Sequence, residues 1–69
     1  MFEVIRGPDA LYYPAARQRS WGGMWEGVVR IVRGTKTSLH VCAECHDDVD
    51  AALMDAVTDA LVMAAGKEV

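Results

Sequence analysis

The sequence predicts a small α+β domain, with short β-strands forming a hairpin or meander followed by one C-terminal amphipathic α-helix. Three observations predict it. The run Gly27-Val28-Val29-Arg30-Ile31-Val32-Arg33 is rich in β-branched residues, meets a Gly34-Thr35 turn and is answered by Thr37-Ser38-Leu39-His40-Val41-Cys42. Downstream the apolar period changes, with Val49, Leu53, Ala56, Val57, Ala60 and Ala64 recurring in steps of three and four. The chain has 69 residues, room for one domain at most.

The elements follow in order. Phe2-Glu3-Val4-Ile5 reads as a short strand ended by the turn signal Gly7-Pro8-Asp9. Leu11-Tyr12-Tyr13 reads as a second short strand stopped by Pro14. Residues 14–24 have no clean period, and Gly22-Gly23 breaks any helix, so a loop is expected there. The hairpin is expected over 26–42, with Leu39 and Val41 on one face of the returning strand and His40 and Cys42 on the other. The helix is expected over 43–65, starting with Glu44, Asp47 and Asp48 in its first turn and stopping at Gly66. Its apolar stripe should face the sheet, with Asp48, Asp55 and Asp59 on the opposite side.

Charge is divided along the chain. Residues 1–36 carry six Lys or Arg against three acids, and residues 37–69 carry one against seven, for a net charge of −3. A pI near 5.1 argues against a general nucleic-acid coat, whose domains usually exceed about 9. No apolar run approaches the roughly 18 residues of a membrane span. The N-terminus MFEVIRGPDA has no apolar core of the export type. A cytoplasmic protein with no membrane contact is the expectation.

The Cys and His residues are concentrated. His40, Cys42, Cys45 and His46 occupy one seven-residue window, and no other Cys or His occurs in the chain. In a reducing compartment such a cluster points to metal or redox chemistry more than to a disulfide. Zinc takes four N or S ligands in a tetrahedron, and C-x2-C supplies two. With Cys42 ending a strand and Cys45 in the first helical turn, both sulfurs would lie at a helix N-terminus, which favours thiolate. His40 would be the third ligand. His46 would be the fourth, or would pair with Asp50 one turn on. The alternatives are two buried thiols without metal, a redox dithiol, or covalent haem on C-x2-C-H. Haem is disfavoured because attachment needs export and this chain has too little core to enclose a porphyrin.

The order hairpin, C-x2-C, helix resembles the back half of a treble-clef zinc finger. It is similar to small zinc-binding proteins of actinobacteria and their phages, through Leu39, Cys42, Cys45, Val49, Ala52 and Leu53. The resemblance covers residues 26 to about 62 and implies a fold and zinc, not a reaction. That family carries an earlier C-x2-C, whereas this chain has no Cys or His before His40. Either His40 and His46 substitute or the metal is lost.

A second constellation is aromatic and basic: Tyr12, Tyr13, Arg17, Arg19, Trp21 and Trp25, with Arg30 beyond. These are the residue types of protein hot spots and of base-stacking surfaces, and equally of a small core. Enzyme signatures are missing. Ser20 and Ser38 lack a nucleophile elbow, and Gly34-Thr35-Lys36-Thr37 lacks the upstream Gly of a phosphate loop. The reading is a non-enzymatic binding protein, zinc-stabilised, acting through a protein partner, with a phage-encoded modulator of a host protein as one form. The alternative is a nucleic-acid-binding module using the basic, aromatic half. Met54, Leu61 and Val62 broaden the helix's apolar surface beyond what one thin sheet covers, so a homodimer with the helix at its interface is expected.

Overall fold

The structure, a computed structural model, describes residues 4–19 and 22–66. Four antiparallel strands form one sheet in the order β1-β2-β3-β4, and a single helix crosses one face of it. The strands are β1 (Ile5–Arg6), β2 (Leu11–Gln18), β3 (Trp25–Arg33) and β4 (Lys36–His46), and the helix is α1 (Val49–Ala64). This is the expected α+β meander with a C-terminal helix. No described helix is long and apolar enough to cross a membrane.

The hairpin forms where the sequence places it. Arg33 pairs with Lys36 across the two-residue Gly34-Thr35 turn. Gly34 has φ 59°, the positive value that such a turn demands at its first central position. At the same end of the sheet, the Gly7 N–H donates to the Ala10 carbonyl at 2.9 Å and closes the β1–β2 turn.

Three expectations are corrected. Pro14 does not end β2, which runs on to Gln18 with Pro14 opposite Val29. Among the described residues β1 pairs only with Leu11 and Tyr12, so Pro14 meets no described strand on that side, a place where proline is tolerated. The residues expected as a loop, from Pro14 to Gln18, are therefore strand. Next, β4 does not stop at Cys42. Cys45 pairs with Glu26 and His46 with Trp25, after a register shift opposite Gly27. So Ala43 and Glu44 lie in a bulged strand, Cys45 is not in a helical turn, and the helix begins at Val49. Asp48 caps it, accepting from the Asp50 N–H at 3.3 Å. Glu44 and Asp47 thus precede the first turn. The helix stops as expected, with Gly66 at φ 81° and its N–H donating to the Met63 carbonyl at 3.0 Å.

The third correction concerns the helix face. The fully buried positions are Ala52, Ala56 and Ala60, while Val49 is exposed and Leu53 and Val57 are half-buried. At about 100° per residue, this turns the helix roughly 50° from the orientation the apolar stripe suggests. The cause is close approach. A Cβ on Gly27 would stand 2.4 Å from the Ala52 carbonyl oxygen and 3.0 Å from the Ala56 nitrogen. Only alanine fits on a helix lying so near a strand. The core around this contact holds Tyr12, Val29, Ile31, Ala10 and Cys42, with Ile5, Met63 and Ala64 against it.

Candidate metal centre

Alternation along β4 divides its side chains. His40, Cys42 and His46 face α1, while Leu39 and Val41 face the open side and are 51% and 42% exposed. The helix answers with Asp55 and Asp59, one turn apart on the flank nearest β4. His40 Nε2 lies 2.8 Å from Asp59 Oδ2, and His46 Nε2 lies 2.7 Å from Asp55 Oδ2. These aspartates are not on the solvent side of the helix, as the pattern suggested. The same rotation that seats Ala52, Ala56 and Ala60 brings them to the histidines. His46 is paired with Asp55 and not with Asp50.

Cys42 lies between the two pairs and is buried. Its sulfur occupies space that Gly27 leaves open, 3.1 Å from where a Gly27 Cβ would stand. Burial pushes the thiol up from its ordinary value of 9.0 to about 12, helped by its hydrogen bond to the Asp59 carboxylate and by the charges of Asp59, Asp55 and Glu26. Cys42 is therefore a protonated thiol at neutral pH, donating to Asp59.

One donor atom each from His40, Cys42 and Asp59 lies within 4.8 Å of the other two. A tetrahedral zinc with bonds near 2.0–2.3 Å needs its ligand atoms roughly 3.3–3.8 Å apart. Shifts of an ångström or less in the side chains would bring the three donors there. They line a cleft of ≈ 280 Å³ together with Val41, Ala43, Glu44 and Asp55, which leaves a fourth position open to solvent or a further carboxylate.

Of the four ligands expected from sequence, His40 and Cys42 are brought together. Cys45 and His46 are not part of that group. The Arg19 guanidinium donates to Cys45 Sγ at 3.3 Å, on the opposite side of the sheet from Cys42. Asp59 is the member of this group that sequence reading missed. No family model, curated protein or solved structure matches the chain. The hairpin is followed by a helix, but both cysteines of the C-x2-C lie in β4 and not at the helix N-terminus.

The aromatic and basic constellation is also divided. Tyr12 is 2% exposed and belongs to the core, where its hydroxyl accepts from Arg33 at 3.4 Å; it is not part of a contact surface. Trp25 is half-buried opposite His46, and Trp21 lies outside the described residues. Tyr13, Arg17 and Arg19 are on the open face. There Arg17 Nε donates to Glu26 Oε2 at 2.6 Å, Arg19 Nε is 4.0 Å from Glu26 Oε1, and the Arg30 guanidinium lies 4.9 Å from the Tyr13 ring centroid.

Proposed function

We propose that this chain is a small non-enzymatic binding protein that takes a zinc ion at His40, Cys42 and Asp59 and presents the open face of its sheet to another protein. The observation that carries the reading is the convergence of nitrogen, sulfur and oxygen donors from β4 and α1 within 4.8 Å. Imidazole, carboxylate and a cysteine sulfur that gives up its proton on coordination together suit zinc. A chain of 69 residues also gains from a metal that ties its helix to its sheet.

Two features support a binding role over catalysis. A nucleophilic cysteine needs a lowered pKa and a positive neighbour. Cys42 has the reverse, a raised value and carboxylates around it. On the open face, half-buried Tyr13 and Val32 and exposed Leu39 and Val41 alternate with charged groups. Arg17 and Arg19 are engaged by Glu26, which weakens the case for a phosphate-binding surface.

Zinc titration against a competing chelator tests the metal reading. The purified full chain should bind one zinc per chain. Cys42→Ser and Asp59→Asn should each weaken binding at least tenfold, while Cys45→Ser leaves it unchanged. Absence of zinc binding, or equal loss in Cys45→Ser, defeats the reading.

A further inference from the structure

We propose that β4 pairs with the β4 of a second copy, antiparallel and centred on His40, so that two four-stranded sheets join into one. The inference does not need the metal, because it rests on the backbone edge of β4 that faces away from β3.

β4 ends the sheet order and is its longest strand, with 11 residues. In a two-residue hairpin the turn's closing bond runs from the Lys36 N–H to the Arg33 carbonyl. Alternation then directs the backbone groups of Lys36, Ser38 and His40 toward β3 and those of Thr37, Leu39 and Val41 toward the free edge. All three of these outward residues are exposed. Among the described residues no strand pairs with this edge, and a long edge of this kind is a template for another strand. The helix does not cover it, since α1 packs mainly over β2 and β3.

Charge and side-chain pattern choose both the occupant and the register. With the two-fold axis at His40, each Lys36 faces the partner's Glu44, and each Leu39 faces the partner's Val41. Alternation along β4 puts Lys36 on the same side as His40 and sets Glu44 between Cys42 and His46, so both lie on the helix side. The lysine and glutamate would therefore meet on one side of the joined sheet. Leu39 and Val41, among the exposed large apolar residues of the chain, would meet on the other. Moving the axis by one residue to Leu39 sets Lys36 opposite the partner's Cys42, and moving it to Val41 sets Lys36 opposite the partner's His46. Within the strand, only the register centred on His40 gives two ion pairs and two apolar pairs at once. A self-complementary strand with a two-fold axis calls for a second copy of itself.

The test is the solution mass and self-association constant of the full chain at micromolar concentration. The expected mass is twice 7.5 kDa. Lys36→Glu and Glu44→Lys should each weaken the dimer about tenfold, since each turns two attractive cross-strand pairs into repulsive ones. The double reversal Lys36→Glu with Glu44→Lys should restore the constant to within about threefold. Val41→Pro should abolish the dimer. Its lost N–H is not used by β3, so circular dichroism should still report the fold; if this variant unfolds, the charge-reversal series decides alone. A monomer at high micromolar concentration overturns the proposal. So does a dimer that ignores both single reversals, or one that the double reversal fails to restore.

Discussion

Cys42 and Cys45 are three positions apart and occupy opposite environments. Cys42 is buried under the helix, and its thiol donates to Asp59. Cys45 is half-buried on the other face beside Arg19. Iodoacetamide at pH 8 should therefore modify Cys45 at least tenfold faster than Cys42 in zinc-free protein, as read by fragment mass spectrometry. The raised Cys42 value also has a consequence for stability. The folded state prefers the protonated thiol, so this contribution is fully present below the ordinary value of 9.0 and is lost as pH rises toward about 12. Zinc-free protein should lose thermal stability between those pH values more steeply than Cys42→Ala does. Parallel melting curves for the two would remove the thiol from the account. Sequence spacing found His40 and Cys42 because alternation on a strand is local information. It could not find Asp59, 19 residues from His40, because that partner depends on how the helix is rotated.

At the scale of elements, the rotation has one origin. Gly27 has no side chain, and Ala52, Ala56 and Ala60 have the smallest, so backbone meets backbone. Gly27→Ala should place a Cβ against the Ala52 carbonyl and destabilise the fold by about 1–3 kcal/mol, measured by denaturant unfolding. A change below a few tenths would mean that the helix can lift without cost. The hairpin was legible because β-branched density and a Gly-led two-residue turn agree with each other. The extent of β2 was not, because Pro14 and a run of Ala and Arg carry no strand signal; pairing with β3 overrides local preference. The helix start was misplaced for a similar reason. Ala43 and Glu44 favour helix locally, yet pairing of Cys45 and His46 with β3 holds them in strand until Asp48 caps the helix. The apolar stripe includes the buried Ala56 and Ala60 but is centred roughly 50° off the buried face, since close packing selects for small volume before hydrophobicity.

For the whole molecule, the decisive contact is the seam between β4 and α1, where two His–Asp pairs flank one thiol. Each pair is half-exposed, so its ionic contribution is modest, of order 1 kcal/mol or less. A metal at that seam would do more, because it binds only when strand and helix are in register. Zinc at about one hundred times its dissociation constant adds roughly 2.7 kcal/mol to the folded state. In a domain of this size each kcal/mol moves the melting temperature by about 4–8 °C. Saturating zinc should therefore raise the melting temperature of the native chain by roughly 10–20 °C, and a chelator should reverse the rise. Cys45→Ser should show the same rise, whereas Asp59→Asn should show less than half of it. The Asp59 comparison carries the most weight. A zinc site made only of the local His40, Cys42, Cys45 and His46 would respond to Cys45→Ser and ignore Asp59→Asn. A site that joins β4 to α1 must do the opposite.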